Sequence, residues 1–198
     1  MASPAPRRQL TLPLVVLGLS LVLLAGAIGL TFFARDPGAP APSAIGGPFQ
    51  LVDQDGRKVT QDDFKGQPAL VFFGYTHCPD VCPTTLFELS EILRKLGPAA
   101  KVRGVFVTVD PERDTPELMK TYLSSFDPRI GGLSGDRASI DAMLKTYRVY
   151  SKKIPGEGEG YTMDHSAIVY LMDRQMRFVN ALPLQDQDRA AREIQRWM

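Results

Sequence analysis

The feature that most constrains this chain is a pair of cysteines in a short turn between two patterned runs. The only two cysteines, Cys78 and Cys82, lie within residues 74–83, GYTHCPDVCP. The preceding residues 69–73 are all apolar, which is typical of a strand covered on both faces. After the turn, leucines recur at helical spacing, at Leu86, Leu89, Leu93 and Leu96. This order predicts a buried strand, a turn with two thiols and a helix. Because Pro83 cannot donate a backbone hydrogen bond, we expect residues 78–82 to form an irregular turn that leads into the helix.

The two cysteines are better suited to chemistry than to stabilising the fold. They lie so close in sequence that a bridge between Cys78 and Cys82 would close a very short loop, and loop-closure stabilisation is small for short loops. Their neighbours Pro79, Asp80 and Pro83 also make an inert buried pair an unattractive interpretation. At a helix N-terminus the helix dipole favours thiolate, so we expect a lowered thiol pKa. Thiolate both binds metals and attacks disulfides.

A C-x-x-x-C turn permits two kinds of site. It can close into a redox disulfide, or it can hold two sulfurs around an ion. Two thiolates and one imidazole form a soft ligand set that selects Cu(I), and imidazole also accepts Cu(II). A structural zinc site would need a fourth protein ligand. The competing hypothesis is a dithiol, Cys78 and Cys82, that exchanges electrons without a metal.

Two histidines could complete a metal site. His77 adjoins Cys78, and successive residues of an extended segment point to opposite faces, which disfavours His77. His165 lies at the entry to a predicted strand, 167–172, after a glycine-rich loop at 156–160. In a thioredoxin-like fold the loop before that strand packs against the dithiol, so His165 is the favoured third ligand. The alternative for His165 is an ordinary surface or capping histidine.

The N-terminal part of the chain predicts export. Residues 1–9 contain Arg7 and Arg8, and residues 10–33 contain no charged side chain. That run exceeds the roughly 20 apolar residues needed to cross a bilayer, and the basic residues before it predict a cytoplasmic N-terminus. We therefore predict a transmembrane anchor at 10–33. A cleaved signal peptide, with 25–27 (AGA) as the cleavage site, is the alternative.

The remaining sequence predicts a spacer and one folded domain. Residues 34–47 are rich in proline, alanine and glycine and predict an extended linker. Residues 48–198 are numerous enough to bury a hydrophobic core that needs no stabilising disulfide. The net charge is +1 with no basic block, so nothing indicates a nucleic-acid partner.

Strands and helices alternate through this domain. An Asp-Gly turn between 49–52 and 58–60 predicts a hairpin. Further strands are predicted at 102–109 and around 130–133, with helices at 116–123 and 139–147 and a possible extended segment at 149–154. A second hairpin, 167–172 with 177–181, and a helix at 186–198 end the chain. The pattern predicts a thioredoxin-like three-layer α/β sandwich with an added N-terminal hairpin, preceded by one transmembrane helix.

Three motifs of this chain resemble the signatures of the Sco/SenC family. Residues 73–83 (FGYTHCPDVCP) resemble that family's copper-site motif. Residues 110–116 (DPERDTP) and 164–166 (DHS) resemble its other two signatures and follow in the same order. The resemblance covers residues 10–198, including the predicted anchor and domain.

The resemblance implies a copper chaperone for cytochrome c oxidase assembly. Such a protein delivers copper to the copper centre of oxidase subunit II, or reduces the cysteines of that centre, and other copper chaperones are possible partners. Carried over by position, Cys78, Cys82 and His165 would be the copper ligands. A metal-independent thiol–disulfide reductase with Cys78 and Cys82 as its redox pair is the alternative, so enzyme status stays open.

The resemblance leaves two further questions open. It does not assign roles to Asp80, Asp110 and Asp114. Asp110 and Asp114 follow a predicted strand near the expected site, where they could support the ligands, whereas Asp114 could equally cap the 116–123 helix. The short N-terminus lacks the Arg/Ser-rich character of a transit peptide. This favours a bacterial inner-membrane protein facing the periplasm over a mitochondrial inner-membrane protein facing the intermembrane space.

Overall fold

The computed structural model describes residues 11–33, 45–156 and 160–198. The predicted N-terminal segment 1–9, linker residues 34–44 and the centre of the 156–160 loop lie outside the described residues. The chain divides into two compact units, residues 1–41 and 42–198. Within the described ranges, no helix was found that is long and apolar enough to cross a membrane.

Five α-helices and nine strands are assigned in the described residues. The helices are α1 (Thr11–Phe33), α2 (Val81–Leu96), α3 (Pro116–Leu123), α4 (Arg137–Thr146) and α5 (Gln187–Gln195). The strands are β1 (Gln50–Asp53), β2 (Lys58–Thr60), β3 (Ala69–Gly74), β4 (Arg103–Thr108), β5 (Ile130–Ser134), β6 (Ser151–Pro155), β7 (Tyr161–His165), β8 (Val169–Met172) and β9 (Phe178–Ala181). A short 3₁₀-helix follows β2 at Gln61–Phe64.

Seven strands form one mixed sheet in the order β2-β1-β5-β4-β3-β8-β9. The central strands β3, β4 and β5 are parallel, and β8 pairs antiparallel with β3. Every residue of β3 is buried, as its unbroken apolar sequence predicts. The predicted hairpin, β1 with β2, extends the sheet by antiparallel pairing with β5. The buried strand β3, the dithiol turn and the helix α2 follow one another as predicted, and this confirms the thioredoxin-like α/β fold.

Two local predictions are wrong. We expected residues 78–82 to form an irregular turn ahead of the helix, but α2 begins at Val81 and includes Cys82. Pro83 fits this position because the first-turn N–H groups of a helix need no intrahelical partner. We also expected His165 to lie in a loop at the entry to the predicted strand 167–172. It does precede that strand, β8, but it is the last residue of β7, which pairs with β6 in a separate two-stranded sheet.

Candidate metal centre

The end of β3 and the start of α2 place the two cysteines. Cys82 lies in the first turn of α2 and is fully buried, whereas Cys78 is partly exposed. The Cys78 amide donates to the carbonyl of Tyr75 at 3.3 Å, which closes the turn. The Cys82 amide donates to Cys78 Sγ, also at 3.3 Å. One sulfur therefore accepts a hydrogen bond from the helix N-terminus, where negative charge is favoured.

Gly74 lets the chain pass directly beneath the second sulfur. A Cβ at this position would lie 2.8 Å from Cys82 Sγ and 2.7 Å from Cε2 of Phe106. Both distances are shorter than any ordinary contact, so a larger residue would have to displace the sulfur or the ring. The last residue of β3 must therefore be small for Cys82 to occupy its position.

His165 approaches the cysteines from β7. Its Nε2 lies 3.4 Å from Cys82 Sγ, and its Nδ1 lies 3.2 Å from the carbonyl oxygen of Ser166. A carbonyl can only accept, so Nδ1 holds the proton and the lone pair of Nε2 faces the sulfur. The imidazole packs edge-on against Tyr75, with ring centroids 5.8 Å apart, and also contacts Phe72. These contacts fix the ring orientation that a metal ligand needs.

Cys78, Cys82 and His165 form one cluster of potential metal ligands. Their ligand atoms all lie within 4.8 Å of one another. Bonds of about 2.0–2.3 Å to nitrogen and sulfur would separate three donors around one ion by roughly 4 Å. The donor set is soft and its spacing fits, so these residues could hold a single Cu(I) ion.

The electrostatics of the cluster differ from the sequence prediction at Cys82. We expected the helix N-terminus to lower the thiol pKa, but burial raises the pKa of Cys82, and the adjacent Cys78 thiol raises it further. Burial also lowers the pKa of His165, which leaves the imidazole neutral and able to bind a metal. Without a metal, Cys82 is therefore a neutral thiol. A bound metal ion would displace its proton.

A buried carboxylate supports the cysteine turn from behind. Asp114 is fully buried and accepts from the Thr76 amide at 3.1 Å and from the Thr76 hydroxyl at 2.6 Å. It also accepts from the hydroxyl of Thr108 at 2.6 Å. The suggested capping role of Asp114 is wrong, since the side chain of Thr115 caps α3 by accepting from the Leu118 amide. Asp114 instead connects β4 to the residues just before Cys78.

The other residues considered from the sequence lie around the cluster. His77 is about half exposed, its Nδ1 is 3.7 Å from the Asp114 carboxylate, and it is not one of the three side chains of the cluster. Asp80 is exposed and precedes α2 without a side-chain capping bond. Asp110 is fully buried and pairs with Arg113, which contacts Tyr161 on β7. No sequence pattern predicted the contact between Arg113, which lies in the DPERDTP motif, and Tyr161.

A match to a protein-family model identifies the family of this chain. The model of the family described as SCO1/SenC matches residues 37–198. The chain belongs to the SCO1/SenC family. The resemblance seen in the three sequence motifs is thereby confirmed.

Two curated relatives show how far the family likeness extends. The SCO2-like protein of Rickettsia felis is 33% identical over 196 residues, which cover 93% of this chain and 94% of that protein. The mitochondrial SCO1 homolog 1 of Arabidopsis thaliana is 41% identical over 139 residues, or 69% of this chain. The chain spans only 42% of that longer plant protein.

Solved SCO1/SenC structures share the fold of this domain. Bradyrhizobium japonicum ScoI, solved with copper bound, is 58% identical, and the two align with a TM-score of 0.75 over 78% of this chain and 99% of that one. Yeast Sco1 with copper bound is 36% identical, with a TM-score of 0.72 over 78% of this chain and 88% of that one. Both of these proteins were solved with copper bound, the metal that the soft donor set of Cys78, Cys82 and His165 suits.

Proposed function

We propose that this chain is a copper chaperone that serves assembly of the copper centre of cytochrome c oxidase. One observation underlies this proposal: the ligand atoms of Cys78, Cys82 and His165 come within 4.8 Å of one another. Membership of the SCO1/SenC family and the copper-bound relatives support it. Copper is the cargo of such a protein, so the site must bind the ion and then release it to a partner.

The three ligands suit both tasks. Two thiolates favour Cu(I), and the imidazole allows the same site to accept Cu(II). Cys82 is fully buried, but Cys78 is partly exposed, so an incoming ligand could reach the ion from the Cys78 side. The accepting partner is cytochrome c oxidase subunit II or another copper-accepting protein. Another copper chaperone is the expected donor.

A thiol–disulfide reductase is the second candidate function. It is favoured by the two free cysteines, Cys78 and Cys82, at the N-terminus of α2. In that reaction a Cys78 thiolate attacks a partner disulfide and releases one partner thiolate. Cys82, once deprotonated, then attacks the mixed disulfide and releases the second. The partner gains two electrons, and Cys78 and Cys82 become a disulfide.

The proposed location follows from the N-terminal sequence. Residues 10–33 contain no charged side chain and follow Arg7 and Arg8, which supports a single anchor in a bacterial inner membrane. Residues 48–198 would then face the periplasm, tethered by the linker at 34–47. The finding that Rickettsia and mitochondrial relatives share this domain supports placement at an energy-converting membrane.

A competition titration with Cu(I) tests the chaperone function. Residues 42–198 form a compact unit, and ScoI aligns over 99% of its own chain with a comparable part of this protein, so the domain can be studied alone. We expect one tightly bound Cu(I) per reduced domain, and at least tenfold weaker binding in His165→Ala, because it lacks the third ligand. His77→Ala is the matched control, since it removes the other histidine and should leave the affinity unchanged.

The same preparation distinguishes the two candidate functions. Equal Cu(I) affinity in the wild type and in His165→Ala would contradict the three-ligand site. Weak binding in both, together with rapid reduction of a partner disulfide by Cys78 and Cys82, would make the reductase the main function.

A further inference from the structure

The hairpin that ends in His165 is not part of the main sheet. Strands β6 and β7 pair only with each other among the described residues, in a register that sets Ser151 opposite His165. An isolated two-stranded hairpin is at best marginally stable in water. Its position against the domain must therefore depend on side-chain contacts. Those contacts decide whether His165 reaches the two sulfurs.

One group of side chains fastens this hairpin to the segment after β4. Arg113 forms an ion pair with Asp110, which is fully buried. Its Nη1 donates to the carbonyl oxygen of Tyr161 at 3.1 Å, and its guanidinium carbon lies 3.6 Å from the centre of the Tyr161 ring. The Tyr161 hydroxyl donates a hydrogen bond of 2.9 Å to Oδ1 of Asp110. Burial and this bond raise the pKa of Tyr161 to about 12, so the phenol remains a donor.

This ring of contacts is closed and specific. Arg113, Asp110 and Tyr161 each contact the other two, so the loss of any one leaves a charged or polar group without its partner. The planar guanidinium pairs with a carboxylate and stacks on an aromatic ring at once, which lysine cannot reproduce. The outer pair of Lys153 and Glu112 is 2.8 Å apart but about half exposed, so it contributes little.

The geometry of strand β7 connects the position of Tyr161 to the position of His165. Tyr161, Met163 and His165 alternate along β7, so their side chains lie on the same face. Met163 is buried, and Tyr161 and His165 are partly buried, in agreement with that face packing against the domain. Tyr161 and His165 mark the two ends of a strand that spans roughly 13 Å. A fixed Tyr161 therefore restrains where His165 can go.

We propose that Arg113, together with Asp110 and Tyr161, is a positioning residue that holds the β6–β7 hairpin so that His165 meets Cys78 and Cys82. The predicted effect on copper affinity rests on the proposed copper function, whereas the predicted effect on the position of the hairpin concerns the metal-free protein. Arg113 acts through His165 and does not contact the metal. Removing it should free the hairpin and weaken the third ligand while leaving the two cysteines in place.

A double-mutant cycle with two readouts tests this. Residues 42–198 are prepared as Asp110→Asn/Arg113→Gln, which removes both charges and leaves no buried ion unpaired, alone and combined with His165→Ala. The matched control is Asp173→Asn/Arg177→Gln, which removes a similar ion pair from the turn between β8 and β9. Asp173 is buried there, and its Oδ2 lies 2.7 Å from Nε of Arg177. The readouts are amide exchange of β6 and β7 without metal and the affinity for Cu(I).

We expect the Asp110/Arg113 variant to exchange β6 and β7 amides at least about tenfold faster, with β3 and β4 unchanged. Its Cu(I) affinity should fall about 10- to 100-fold, the range for losing a group that orients a metal ligand. In the His165→Ala background it should produce no further fall, and the control should change neither readout. Unchanged exchange in the hairpin, or equal losses of affinity with and without His165, would overturn the proposal. If the wild type binds no copper, the copper function fails, and the exchange experiment alone decides whether the hairpin is held in this way.

Discussion

The two halves of the proposed copper site are built in different ways. Cys78 lies in the turn after a fully buried central strand, and Cys82 lies in the first turn of α2, so backbone bonds and the core determine their positions. His165 lies on a hairpin outside the main sheet, fastened through Arg113 and Tyr161. The cysteine half is thus a property of the fold. The histidine half depends on a few side chains and can be altered separately.

This difference suits a protein that must both hold and release an ion. A rigid pair of sulfurs would retain Cu(I), and a separately held imidazole would add or remove the third ligand without disturbing the core. Substitutions in the cysteine half should therefore affect stability and copper affinity together. Substitutions in the histidine half should affect mainly copper affinity.

Gly74→Ala should have the largest effect, because it alters the cysteine half directly. The added Cβ would lie 2.8 Å from Cys82 Sγ and 2.7 Å from the Phe106 ring. We expect the free energy of unfolding to fall by about 1–3 kcal/mol and Cu(I) affinity to fall with it. Urea denaturation and Cu(I) competition measure the two quantities. Gly131→Ala is the control, since its nearest contact would be 3.8 Å away; equal losses in both variants would refute the steric argument.

Asp114→Asn should come next, because this carboxylate holds Thr76 just before the cysteine turn. An amide keeps only one acceptor oxygen where the carboxylate has two, so a buried hydrogen bond is lost at a cost of about 1–3 kcal/mol in unfolding free energy. We expect a clear loss of stability and weaker Cu(I) binding, measured as above. The same substitution at Asp136, an exposed cap of α4, should change neither quantity, because asparagine caps equally well. A silent Asp114→Asn would contradict the proposed support.

Tyr75→Phe should have a smaller effect, on the link between the two halves. The Tyr75 hydroxyl lies 2.7 Å from Thr162 Oγ1 on β7, and its ring also packs against His165. Phenylalanine keeps the ring contact and loses only the hydrogen bond, worth about 0.5–1.5 kcal/mol. We expect faster amide exchange in β6 and β7 with little change in β3. Equal acceleration in both would show that the two halves are not separable.

Asp127→Asn should change stability alone, and only above acidic pH. Hydrogen bonds from Arg129 hold the pKa of the Asp127 carboxyl below its usual range. A lowered folded-state pKa stabilises the protein above the unfolded value of about 3.9, and that stability is lost as pH falls through the folded value. The wild type should therefore exceed the variant in unfolding free energy at pH 7, and the difference should shrink towards pH 3. Any effect on Cu(I) affinity would be unexpected.

The same contrast explains how much the sequence could predict. The cysteine half was predictable because an apolar run, a dithiol turn and a leucine pattern lie next to one another in the chain. His165 could be chosen only through expectations about the fold, and strand β7 was missed because it follows a glycine-rich loop and has a mixed polar sequence. Arg113 and Tyr161 lie 48 positions apart in the chain, so no local sequence pattern predicts their contact. The role of Asp114 was uncertain for the same reason, since Thr76 reaches it only in the folded chain.

X-ray absorption at the copper edge shows directly whether the imidazole of His165 binds the ion. The reduced domain, residues 42–198, is loaded with one equivalent of Cu(I) and compared with its His165→Ala variant. We expect two sulfur ligands and one nitrogen ligand in the wild type, and loss of the nitrogen ligand in the variant. A spectrum with two sulfurs alone in the wild type, unchanged by His165→Ala, would show that the histidine hairpin does not take part in binding the ion and would contradict the three-ligand site.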